Sequence, residues 1–205
     1  MTAPQLYLAT PRLSGAGEIA QLATAVAATI ATGCVACLLL RAEPGLADAA
    51  IKSAVERLRA AAQDRDIAIL LEDRVDLVQS ARADGVHLSL AVAYDEARRR
   101  LGPDLIVGVA CATRDEAIDV AEHGADYVAF GDFDDPAPRP ATLDLTEWWS
   151  EIMTVPCVAA GCAAAGDAAR LAAAGADFVG LGAAAWNDLA TTLREIAQAL
   201  GRSPL

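Results

Sequence analysis

Short apolar runs alternate with longer stretches in which apolar residues recur every three or four positions, and the alternation continues along the 205-residue chain. The runs at 6–10, 35–40, 67–71, 86–88, 105–109, 127–130, 156–159 and 178–181 hold no Asp, Glu, Lys or Arg. That is how strands buried on both faces read. The stretches at 18–32, 47–63, 75–82, 94–101, 114–122, 143–153, 166–174 and 186–200 read as helices, the first closed by Gly33 and the fourth stopped by Gly102-Pro103. Strand and helix alternate without a linker from end to end. The pattern predicts an α/β fold, one single (β/α)8 TIM barrel spanning residues 1–205, rather than an open doubly wound sheet. No GxGxxG follows the first strand, which removes the usual signal for a dinucleotide.

A short signal recurs at alternate units: Ala83-Asp84-Gly85-Val86, Gly124-Ala125-Asp126-Tyr127-Val128 and Gly175-Ala176-Asp177-Phe178-Val179. In each, a glycine, or alanine at the first, allows the helix to end in a tight turn, and the aspartate is placed to bond nearby amides as the chain enters the next strand. These aspartates belong to the floor of a barrel, the face away from chemistry, and are expected to be structural.

Composition narrows the class. The chain is 55% hydrophobic, yet charged or turn residues interrupt each apolar run short of the roughly 18–20 residues that span a bilayer. With no basic segment ahead of an apolar stretch at the N-terminus, a cytoplasmic protein is expected. A net charge of −12 disfavours nucleic acid as a partner. The five cysteines (34, 37, 111, 157 and 162) are an odd number for a disulfide framework. Cys34 and Cys37 have CxxC spacing but no second pair, so core cysteines are expected rather than a metal site. His87 lies inside the fourth strand and reads as a hydrogen-bonded structural histidine, and His123 at the end of the fifth helix reads as a surface residue.

Barrel enzymes carry their chemistry just after each strand. Arg41 and Glu43 follow strand two; Glu72, Asp73 and Arg74 follow strand three; Asp132, Asp134, Asp135 and Arg139 follow strand six. Gly161-Cys162-Ala163 and Gly182-Ala183-Ala184 follow strands seven and eight, where backbone amides can receive a phosphate without a lysine. The only lysine, Lys52, falls in the second helix, so arginine has to do any anion work. A mouth this acidic must be solvated, paired with its arginines or bound to a cation. The loop after strand six, with Pro136, Pro138 and Pro140, reads as a water-exposed segment; on a sharper reading Arg139 folds it over the mouth and pairs with Asp73 or Glu72.

Taken together, Leu6-Tyr7-Leu8-Ala9-Thr10, Leu39-Leu40-Arg41, Glu72-Asp73-Arg74-Val75-Asp76-Leu77, Ala83-Asp84-Gly85-Val86-His87-Leu88, Gly124-Ala125-Asp126-Tyr127-Val128 and the end of strand seven resemble thiamine phosphate synthase and the related thiazole tautomerase-like branch. The resemblance covers nearly the whole chain. It implies a TIM barrel that joins a pyrimidine pyrophosphate to a thiazole phosphate with magnesium and expels pyrophosphate. Position by position, it implies that Arg41 is the arginine after strand two and Asp73 the magnesium-ligating aspartate, and that Gly161 is the first of a glycine pair completed here by Cys162.

Elsewhere the chain departs from the resemblance. Glu43 stands where the family has a pyrophosphate-binding lysine, Glu72 where it has asparagine and Val92 where a second magnesium aspartate is expected. Ala110 replaces a serine, Arg139 remains from the threonine-rich loop and its lysine, and Ala112 stands where the tautomerase branch has its histidine. A lysine-to-glutamate reversal removes a charge-assisted bond and adds repulsion, together about several kcal/mol, while about 1.4 kcal/mol already changes a rate tenfold. The expectation is therefore a thiamine phosphate synthase-like protein whose ordinary activity is impaired and whose magnesium site is incomplete. A divergent barrel enzyme, or a non-catalytic paralogue binding a phosphomonoester or a small cation, shares the same pattern. The ligand set is Arg41, Glu43, Glu72, Asp73, Arg139, Gly161, Cys162, Gly182 and Ala183, with Asp73 for metal; partners are a small molecule, no membrane, and a homodimer left open.

Overall fold

The computed structural model describes residues 3–29, 35–62 and 66–201. Its eight strands are β1 (Gln5–Ala9), β2 (Val35–Leu40), β3 (Ala68–Glu72), β4 (Gly85–Leu88), β5 (Ile106–Ala110), β6 (Tyr127–Phe130), β7 (Cys157–Cys162) and β8 (Phe178–Leu181). All pair in parallel, each with the next, and β8 pairs with β1 to close the barrel. The helices are α1 (Ala16–Thr29), α2 (Asp48–Ala61), α3 (Val78–Ala81), α4 (Tyr94–Leu101), α5 (Arg114–Glu122), α6 (Pro140–Ile152), α7 (Ala165–Ala173) and α8 (Leu189–Ala199). The expected (β/α)8 barrel is therefore what the chain forms. Gly33, Cys34 and the helix ends placed at Thr32 and Gln63 lie outside the described residues.

Period-two alternation decides which side chains fill the barrel and which meet the helices. Tyr7, Ala9, Cys37, Leu39, Tyr127 and Ala129 form an inner cluster, while Leu6, Leu8, Leu38, Leu40, Val128 and Phe130 join the larger core under the helices. The recurring aspartates close the barrel floor by a reciprocal device. The Asp84 amide donates to the Ile69 carbonyl while its carboxylate accepts from the Ile69 amide at 2.8 Å; Asp126 repeats this with Val107, and Asp177 with Cys157. Their structural role is as expected.

Among the described residues, four elements have a boundary three residues away from the sequence pattern, and several others shift by one or two. The helix expected over 75–82 shrinks to α3, because Asp73 takes a left-handed backbone (φ 55°) and residues 74–77 form a turn in which Leu77 donates to the Arg74 carbonyl. β7 runs on to Cys162 instead of ending at 159, with a register shift between Ala160 and Cys162. α6 starts at Pro140, whose fixed φ suits a first helical position. α8 starts at Leu189, because Ala183–Asp188 is a 3-10 segment and the Asp188 carboxylate accepts the Thr191 amide. Among the described residues no helix is long and apolar enough to cross a membrane.

Candidate functional site

The strand C-termini open on one rim, and Arg41 sits at its centre as a charged side chain only 2% exposed. Its amide donates to the Thr10 hydroxyl at 3.0 Å, which holds the start of the loop down. Its guanidinium donates to both carboxylate oxygens of Asp134 at 2.8 and 2.6 Å and to Glu72 at 3.1 Å. Glu72 accepts in turn from Arg12. Two arginines and two carboxylates thus make one chain with no net charge. Burial works against the charge on Arg41, and the bonds to Asp134 and Glu72 outweigh it. The Arg41 guanidinium holds the Asp134 carboxyl below the usual carboxylate range, against a smaller opposing effect of burial.

This pairing corrects the expected lid contact. Arg139 does not reach Asp73 or Glu72; it stands at the N-cap position of α6, largely in solvent, and donates to the mostly buried Asp135 carboxylate at 2.6 Å, four residues back. The residue that reaches across the mouth is Asp134. Arg74 likewise bonds to Asp48 and Asp76 beside α2 rather than to the rim carboxylates. Glu43 has an exposed side chain, and its amide donates to the Leu13 carbonyl.

The loop 131–139 fills the mouth itself. Within it only Phe133 and Pro138 are buried. The Phe133 ring stacks on Tyr7 (centroids 5.4 Å apart) and stands edge-on to His87 at 5.7 Å. Its backbone lies so close to β8 that a Cβ on Gly182 would fall 1.6 Å from the Phe133 carbonyl oxygen. A Cβ on Gly161, which has φ +94°, would meet Pro138 Cα at 3.2 Å. Glycine is needed at both places for the loop to seat. The open faces of these two glycines, where a phosphate nest was expected, are covered by the chain's own loop, and Cys162 and Ala183 flank the contact.

Beneath Phe133, Tyr7 Oη and Tyr127 Oη are 2.8 Å apart and Tyr127 Oη lies 2.9 Å from His87 Nδ1. Burial pushes the His87 ring down to about 4 from its ordinary 6.5; Asp73 opposes this and Arg41 adds to it. The hydrogen bond to Tyr127 agrees with the hydrogen-bonded structural histidine that the sequence predicts. Burial also raises the thiols of Cys111, Cys157 and Cys162 to about 12, so they are inert core groups.

The residues present do not fit a magnesium ion. Both oxygens of Asp73 are already engaged, one by the Ser89 amide at 2.8 Å and the other by the Ser89 hydroxyl at 2.6 Å. Val92, at the place of the expected second ligand, is 89% exposed and apolar. No group of three His, Cys, Asp or Glu side chains among the described residues is arranged to hold a metal. A cleft of about 350 Å³ does open beside the plug, lined in part by Ser89, Ala112, Glu116, Asp135 and Arg139. Each of its three carboxylates already has a partner: one oxygen of Glu116 accepts the Ala112 and Thr113 amides, Asp132 accepts the Asp134 amide, and Asp135 accepts from Arg139.

Sequence reasoning missed Phe133, Arg12 and Ser89. Phe133 carried a usable signal, since it is the one aromatic residue among the acidic and proline positions of 131–140. Arg12 and Ser89 carried none, because each acts through a partner distant in sequence.

The family described as Thiamine monophosphate synthase matches residues 6–185. A thiamine-phosphate synthase of Rhodospirillum centenum is 43% identical over 193 residues, 91% of each chain. One of Hyphomonas neptunium is 36% identical over 192 residues, 89% of this chain and 86% of the relative. Among solved structures, the thiamine phosphate pyrophosphorylase of Pyrococcus furiosus superposes with a TM-score of 0.77 at 21% identity, over 98% of this chain and 96% of that one. The (S)-3-O-geranylgeranylglyceryl phosphate synthase of Thermoplasma acidophilum superposes at 0.72 with 15% identity, covering 97% and 93%. The last two are likenesses of fold.

Proposed function

The chain belongs to the thiamine monophosphate synthase family, and from that premise we propose that it is a divergent member that holds one small phosphorylated ligand while coupling pyrimidine pyrophosphate to thiazole phosphate at a negligible rate. The observation that carries this is the state of Arg41, buried and already bonded to Asp134 and Glu72. A pyrophosphate arriving there has to displace two charge-assisted bonds. Each contributes about 1.5–3 kcal/mol, and the lower figure suits a carboxylate that is half in solvent. At about 1.4 kcal/mol per tenfold, that alone weakens binding by about a hundredfold. Glu43 offers repulsion where the resemblance implies a lysine, and Asp73 would have to leave Ser89 to take a metal.

The test is formation of thiamine phosphate from both substrates with magnesium, run beside the Rhodospirillum centenum relative. We expect a rate at least a hundredfold lower than that of the relative. A rate within tenfold of it would overturn the proposal.

A further inference from the structure

We propose that the outer helical layer carries a second binding site, a cleft between α2 and α3 that takes an extended bisphosphate with hydroxyl groups between its two anionic ends, the chemistry of a sugar bisphosphate. The cleft has a volume of about 610 Å³ and is lined in part by Lys52, Ser53, Glu56, Arg59, Ser80 and Arg82. It exists because α3 is short. At about 1.5 Å per residue the 14 residues of α2 run about 21 Å and the four of α3 about 6 Å, so α3 leaves most of that flank of α2 uncovered. Ile51, Ala54, Val55 and Leu58 turn the apolar stripe of α2 to the core. Positions 52, 53, 56 and 59 fall together on another face, and all four are polar.

The order of charges along the cleft selects the ligand. Lys52 and Arg59 are two helical turns apart, about 10 Å along α2, and Glu56 stands between them. Arg59 holds the frame: it donates to the Arg82 carbonyl at 2.7 Å and to Asp84 at 3.3 Å, which pins the end of α3 against α2. Lys52 at one end and Arg82 at the other have no side-chain hydrogen bond or ion pair among the described residues. Three cations against Glu56 and Asp84 leave one positive charge in surplus, on a chain whose net charge is −12. A single phosphate is too short to join the two ends, and one lying midway meets the Glu56 carboxylate. A bisphosphate sets one anion on Lys52 and Ser53 and the other on Arg82 and Ser80, and Glu56 accepts hydrogen bonds from the hydroxyls between them.

The backbone of Arg82 is a second, independent sign. It is left-handed at φ 58°, where the two sister turns have Gly124 at 92° and Gly175 at 90°. A side chain in that conformation costs stability. The fold does not recover the cost through the guanidinium, which is exposed and makes no hydrogen bond among the described residues. Strain kept for an unbonded cation at the lip of a cleft points to a ligand that uses it.

Nuclear magnetic resonance titrations that follow the Ser53 and Ser80 amides read this cleft apart from the barrel mouth, with fructose 1,6-bisphosphate, glucose 6-phosphate and inorganic phosphate as probes. In the wild type the bisphosphate should bind there at least tenfold more tightly than either of the others. Lys52→Met should bring it down to the affinity of glucose 6-phosphate. Arg82→Gly should weaken it at least tenfold while raising the urea midpoint, an opposition of binding and stability that a merely structural residue would not show. Equal affinity for the three probes, shifts confined to Gly161 and Gly182 at the mouth, or an Arg82→Gly variant that binds like the wild type would each overturn the proposal. So would a bisphosphate that moves neither amide; a dimer in sedimentation that Lys52→Met dissolves would then identify a second copy of the chain as the occupant.

Discussion

Arg41 and His87 are both buried polar residues within the barrel, and they solve burial in opposite ways. Arg41 keeps its charge because two carboxylates meet it; His87 gives its charge up because it faces Tyr7, Tyr127 and Phe133, with Asp73 and Arg41 opposing each other further off. The sign of the pH effect follows. The unfolded ring binds a proton below about 6.5 and the folded ring only below about 4, so stability contributed by neutral His87 is complete above 6.5 and is lost as pH falls to 4. The slope in that window is at most about 1.4 kcal/mol per pH unit. His87→Gln should flatten urea-unfolding stability between pH 6.5 and 4 relative to the wild type; an unchanged slope would place the proton elsewhere. The structural, hydrogen-bonded role of His87 was legible from its position inside an apolar strand. The partner of Arg41 was not, since it lies 93 residues away and three acidic residues of one loop compete for it.

At the scale of elements, the three aspartate turns show what a repeated motif can and cannot convey. Their role could be read from spacing alone, because an aspartate entering a strand on the barrel floor has an amide within reach. Their backbone could not. Aligned on the aspartates, Arg82 rather than Ala83 occupies the place of Gly124 and Gly175, and it carries the left-handed conformation at φ 58° where the glycines have 92° and 90°. A left-handed residue with a Cβ costs about 1 kcal/mol. Arg82→Gly should therefore raise stability by about 0.5–1 kcal/mol in urea unfolding, and a loss would mean that the side chain contributes more than its backbone costs. Asp126→Ala should lower it by about 1–3 kcal/mol, because the Val107 amide loses its carboxylate at 2.8 Å and Arg98 its partner at 2.6 Å. A change under about 0.5 kcal/mol would remove the aspartate turns from the barrel's support.

On the scale of the whole molecule, the fold and the family were readable because both are written in patterns that repeat: short apolar runs, helix periodicity and motifs at fixed places after strands. The state of the mouth is set by contacts between loops remote in sequence, and the chain shows these only once closed. Thus the acidic rim and its need for arginine partners such as Arg41 were visible, while the part played by Arg12 and the seating of Phe133 over Tyr7 were not. The barrel carries the family's scaffold with its polar mouth satisfied from within. Calorimetric titration of inorganic pyrophosphate with magnesium into the wild-type chain, beside the Rhodospirillum centenum relative, tests that most directly. Binding at least a hundredfold weaker than the relative's is the predicted result; affinity within tenfold of it would contradict the internally satisfied mouth.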